Sequence, residues 1–124
     1  AVTAMTMLSC LFLDFKPDNR FVVAGAKILQ ENGPQIGASM NLYYTYYATM
    51  AMFQMGKEYF TVWNKGMCAP LVALQIRDKS DNHGSWAPEG DTYGKDGGRV
   101  YTTAMACLCL EVYSRYLPVY GKNQ

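Results

Sequence analysis

The sequence predicts an all-α fold of about five helices joined as α/α hairpins. Apolar residues recur at spacings of three and four in every long segment, which is the period of a helix face. The segments are separated by Gly, Pro and Asn stops, and the run 40–55 contains no charged residue at all. A chain of 124 residues with half its residues hydrophobic and 17% charged is long enough to bury one core and too apolar to be disordered. Ten Tyr and eight Met point to broad interior surfaces that are adaptable and partly polar.

Residues 2–13 open with Val2, Met5, Leu8 and Phe12 at helical spacing and further apolar residues on the other faces, the pattern of a helix buried all round. The stretch lacks a basic flank and a cleavage site, so it reads as a helix of a longer chain and not as a signal peptide. The whole apolar run 1–13, at 13 residues, is also too short to span a bilayer. Pro17 ends it, since the residue before a proline is pushed out of the helical region. A second helix is expected from Pro17 or Asp18 to about Gln30, with Phe21, Ala24, Ile28 and Leu29 as its stripe. Asn32-Gly33-Pro34 is its stop, with Gly at the position after the cap and Pro beyond.

Ser39 is the expected N-cap of a third helix over about 40–55, where Tyr43, Tyr47, Met50 and Gln54 form one stripe and Leu42, Tyr46, Thr49 and Phe53 its neighbour. Gly56 closes it. The fourth helix is expected over 57–76, with Phe60, Trp63, Met67, Leu71 and Leu74 inward and Lys57, Glu58, Asn64 and Lys65 off the stripe. Proline in a helix interior removes a hydrogen bond, so a kink or short break is expected between Gly66 and Pro70. Residues 77–97 read as a long polar loop anchored by Trp86. Gly97-Gly98 then opens a last helix over 98–117. Its faces are Tyr101, Met105, Leu108 and Val112 on one side and Ala104, Cys107 and Glu111 on another, with Glu111 and Arg115 as an i, i+4 pair. The tail 119–124 is expected to fray.

Three segments echo one another: Val2-Thr3-Ala4-Met5-Thr6-Met7, Tyr47-Ala48-Thr49-Met50-Ala51-Met52 and Tyr101-Thr102-Thr103-Ala104-Met105-Ala106. They stand about 45 and 54 residues apart, in the range of stacked supersecondary units. The units are 1–34, 39–97 and an unpaired third apolar helix, 98–117. Each full unit is one apolar helix followed by one amphipathic helix. Helices at the two ends of such an array expose apolar edges unless further repeats cover them.

Gln75, the turn with Gly84 and Trp86, and the Gly97-Gly98-Arg99-Val100-Tyr101-Thr102-Thr103-Ala104 segment together resemble the prenyltransferase/squalene-oxidase repeat. That repeat builds the α/α toroids of terpenoid cyclases and protein prenyltransferases, and the last segment is similar to a bacterial branch of toroid proteins of uncharacterised activity. The resemblance spans nearly the whole chain. It implies an arc of a toroid, with apolar helices inside and amphipathic ones outside, and structural roles for Gln75, Gly84, Trp86, Gly97 and Gly98. Eight residues lie between Gln75 and Gly84, a departure from the usual spacing of the motif.

The chemistry associated with that family is not legible here. No Asp-x-Asp-Asp acid segment occurs, and Asp78, Asp81, Asp91 and Asp96 read as isolated, solvent-facing residues. Glu111 is the one carboxylate expected on a buried helix. The single His83, with no Asp-x-Cys nearby, does not make a zinc set. Four cysteines, Cys10, Cys68, Cys107 and Cys109, read as reduced and buried thiols, since the last two point apart on one helix. Asp78, Ser80, Asn82 and Glu89 stand at calcium-loop positions, yet His83 replaces the required Gly and Pro88 precedes the Glu. A solvated loop of local turns is the preferred reading, and no metal or other cofactor is assigned.

A net charge of +1 without a basic stripe argues against nucleic acid as partner. The expected function is a non-catalytic interaction or structural module, partnered by a second copy or by the remaining helices of a longer chain. The alternative is an apolar, isoprenoid-like ligand held by an aromatic surface of Tyr43, Tyr46, Tyr47, Met50, Tyr101, Met105 and Glu111.

Overall fold

In the computed structural model, which describes residues 1–115, five helices account for the regular structure: α1 (Val2–Phe12), α2 (Arg20–Asn32), α3 (Leu42–Gln54), α4 (Lys57–Ala73) and α5 (Gly94–Arg115). The described residues contain no strand beyond one isolated bridge between Met40 and Asp91. The expected all-α class with about five helices is therefore correct. The expected fray at 119–124 and the last turn of the final helix lie outside the described residues.

Helix α3 is the centre. Ten of its thirteen residues are buried, and α1, α4 and α5 all pack against it. That follows from its composition: a helix with no charge has no face suited to water. Its polar side chains are satisfied inside. Thr49 Oγ1 donates to the Thr45 carbonyl at 2.6 Å and accepts the Trp63 indole N–H at 2.9 Å. Thr45 Oγ1 accepts the Gln35 N–H at 3.2 Å, tying the preceding segment to the helix.

The stops fall where local chemistry puts them. Gly33 (φ 65°) follows α2, Gly56 (φ 104°) separates α3 from α4, and Gly98 (φ 67°) breaks α5 so that its long body begins at Arg99. The starts are less legible. Asn19, with its side chain accepting from Phe21 N, caps α2 two to three residues later than expected, and Asn41, accepting from Tyr44 N, caps α3 in place of Ser39. Helix α4 ends at Ala73, short of Ile76.

Two inward faces differ from expectation. On α1 the buried residues are Ala4, Met7, Leu8 and Leu11, while Val2 and Phe12 are 74% and 57% exposed. On α2 they are Val22, Gly25, Ala26 and Leu29, and Phe21 and Ile28 lie outside. Gly25 explains the rotation. A Cβ there would sit 2.5 Å from Met7 Cγ, so the glycine lets Met7 nest against the α2 backbone, and the face bearing Gly25 must turn toward α1. Phe21 instead lies under the Arg20 guanidinium, 4.6 Å from its ring centre.

Of the kink or short break expected between Gly66 and Pro70, the break does not occur. The helix runs continuously through Pro70, with Phe60, Trp63, Met67 and Leu71 buried and Leu74 at its end exposed. Pro70 and Gly66 are both exposed, the setting in which a helix best tolerates a hydrogen bond lost to proline.

Close backbone approach also marks the start of α5. A Cβ on Gly94 would lie 2.0 Å from the Pro88 carbonyl oxygen. Gly94→Ala is expected to lower stability by at least the usual overpacking cost of about 1–3 kcal/mol. A thermal midpoint equal to the parent's would show that this turn yields freely.

Candidate functional site

Two constellations gather the residues singled out in the sequence. The first is a polar clasp between the end of α4 and the start of α5. Ile76 and Gly84 to Ser85 pair through their backbones, Ile76 N to Ser85 O at 2.9 Å and Gly84 N to Ile76 O at 2.7 Å. Gln75 Nε2 donates to the Gly84 carbonyl at 2.9 Å. Trp86 is the bolt. Its indole N–H donates to the Leu71 carbonyl at 2.8 Å, its own carbonyl accepts from Thr102 Oγ1 at 2.8 Å, and its N–H donates to Thr103 Oγ1 at 3.2 Å. Arg99 adds a contact from its guanidinium to Ser85 Oγ at 3.2 Å. Three residues of α5 thus hold a loop that closes on the last turns of α4. Glycine at 84 suits its φ of 82°, a backbone that side chains rarely adopt.

The outer part of the same loop is a chain of local turns. Asp78 Oδ1 accepts from Ser80 N and Ser80 Oγ, Ser80 Oγ accepts from Asn82 N, and His83 Nδ1 lies 2.6 Å from the Asp78 carbonyl. The Ser80 hydrogen bonds hold the Asp78 carboxyl below its ordinary value. Glu89 is exposed. Among the described residues no three His, Cys, Asp or Glu side chains gather as a metal set.

The second constellation is a tyrosine face built by α3, the start of α5 and the turn before it. The Tyr43 ring packs edge-on against Tyr47 at 5.0 Å and Tyr93 at 5.7 Å, and Tyr46 against Tyr47 at 5.4 Å. The Tyr43 hydroxyl reaches the Met5 sulfur of α1 at 3.7 Å. Tyr101 folds back over Gly97, where a Cβ would lie 2.5 Å from its Cβ and Cγ. Its hydroxyl is buried and has no hydrogen-bond partner. Tyr43, Tyr46, Tyr47, Tyr101 and Met105 are all half-buried. Met50 lies deeper, in a cluster with Leu8, Phe53, Phe60 and Val112 that Tyr46 and Tyr47 border.

Glu111 does not join this face. It is exposed and pairs with Arg115 at 3.4 Å, so the expectation of a buried acid is overturned. On α5 the inward residues are Thr102, Ala106, Cys109 and Val112, which turns Glu111 to solvent with Ala104 and Cys107. The thiol expectation is corrected likewise. All four cysteines are free, but only Cys109 is buried and Cys107 is exposed.

Asp91 is the residue that sequence reasoning misplaced. Far from facing solvent, it is 6% exposed. Its Oδ2 accepts the N–H of Leu42 at 2.8 Å and its Oδ1 the N–H of Tyr93 at 2.9 Å. Thr92 follows by donating its N–H to the Met40 carbonyl at 2.9 Å. A carboxylate at a helix N-terminus meets the positive end of the backbone dipoles, so Asp91 and Asn41 together cap α3. Asp78, Asp81 and Asp96 are exposed as expected.

Burial pushes the Tyr101 phenol up from 10.0 to about 12, with the Asp91 carboxylate as the next cause. Burial alone raises the Cys109 thiol from 9.0 to about 12 and lifts Tyr44 above 10.0. Tyr47 is raised by burial first and then by its bond to Tyr43. The folded state therefore keeps protons that the unfolded chain releases from about pH 9 upward. Stability is fully present below that pH and falls as the pH climbs toward about 12. Melting temperature measured across this range should decline steadily, and Tyr101→Phe should flatten the decline. An equally steep slope in the variant would remove Tyr101 as a source.

Clefts also lie elsewhere among the described residues. One of about 260 Å³ is lined by residues such as Ile28, Asn32, Gln35 and Tyr44, and another by the 13–19 turn. No helix among the described residues is long and apolar enough to cross a membrane. The chain matches no protein-family model, no curated protein and no solved structure.

Proposed function

We propose that this chain is a non-catalytic helical-repeat interaction module, its hairpins set as an arc of the prenyltransferase/squalene-oxidase kind. The observation that carries the reading is the order of packing. Helix α3 packs against both α1 and α5, α2 backs α1, and α4 backs α3. Three apolar helices in succession, the first two each with an amphipathic partner, is the order expected of stacked repeats. The outer side of α5 carries Val100, 83% exposed, followed by exposed Ala104 and Cys107, with no charge before Glu111. On α1, Val2, Phe12 and Leu13 are similarly open. Exposed apolar side chains on these two end helices support a contact surface there. The partner is a second copy or further helices of the same repeat type.

Native mass spectrometry of the purified chain, with no ligand added, tests the proposal. A dimer or larger assembly free of adducts is expected, and Val100→Glu should shift it toward monomer. A monomer carrying a lipid-sized adduct would overturn the reading in favour of a second one. That second reading is an apolar, isoprenoid-like ligand resting on the tyrosine face. It is favoured by the half-exposed rings of Tyr43, Tyr46, Tyr47 and Tyr101 and by the unpartnered Tyr101 hydroxyl.

A further inference from the structure

We draw no further inference here: the strongest candidate, the buried and unpartnered Tyr101 hydroxyl within the cluster of Tyr43, Tyr93 and Asp91, belongs to the tyrosine face already described, and nothing in the structure names a ligand that would meet it.

Discussion

Trp86→Ala is expected to lower the unfolding free energy by about 3–5 kcal/mol, the range for truncating a buried aromatic residue. The indole is 3% exposed and belongs to the main core cluster. Alanine would leave a cavity beneath the loop and would strip the Leu71 carbonyl of its indole donor. Domains of this size are held by about 5–15 kcal/mol in all, so the loss is a large share of the total. Trp86→Phe separates the two contributions. It keeps most of the volume and gives up one hydrogen bond, for which about 1 kcal/mol is expected. Urea unfolding of the three proteins should show midpoints falling in the order parent, Phe, Ala at a common slope. Equal losses in the two variants would mean that the hydrogen bond, and not packing, holds the loop.

Asp91→Ala should cost about 2–3 kcal/mol, because charge-assisted hydrogen bonds are the strong ones and the Leu42 donor would be left buried. Leu42 is fully buried, so its N–H has no water to turn to once the carboxylate is gone. Tyr93 N–H loses its acceptor in the same step. Asp91→Asn retains one acceptor oxygen and is expected to recover part of the loss. Hydrogen exchange gives the specific readout: the Leu42 amide should exchange faster in the alanine variant while amides in the middle of α2 change little. If Leu42 kept its protection, the 88–94 turn would not be what fastens the start of α3.

Both predictions concern contacts between α5 or its approach and earlier parts of the chain, and they show where sequence reasoning reached its limit. Trp86 was legible as an anchor because a large aromatic residue in a polar loop has few other ways to leave water. Its partners were not. Thr102 and Thr103 entered the sequence reading as part of a repeated texture and of the segment 97–104, with no partner assigned, yet their hydroxyls hold both backbone groups of Trp86. Asp91 carried no signal at all. In a stretch rich in Gly, Asp and Thr it looks like any turn residue, and its acceptor role depends on a helix start 49 residues earlier in the chain.

The same division explains the helix faces. Helix α4 sets Lys57, Glu58 and Lys65 off an apolar stripe of helical period, and its buried residues follow that stripe from Phe60 to Leu71. Helix α1 is apolar nearly all round, so its composition contains little information about which side turns inward. Its neighbours decide, through Met7 against Gly25 and Leu8 against the Met50 cluster. Glu111 illustrates the converse error. Its helix neighbours are apolar, but the side of α5 it occupies is not the side that α3 covers.

By itself, then, the sequence determined the helical class, the number and order of helices and the glycine stops between them. These depend on backbone conformation and side-chain periodicity, which act within a few residues. Tertiary structure alone decided which face of α1, α2 and α5 is buried, that α4 passes unbroken through Pro70, and that Asp91 caps α3. Those outcomes are set by which surfaces approach closely enough to exclude water, and that is a property of pairs of elements far apart in the chain.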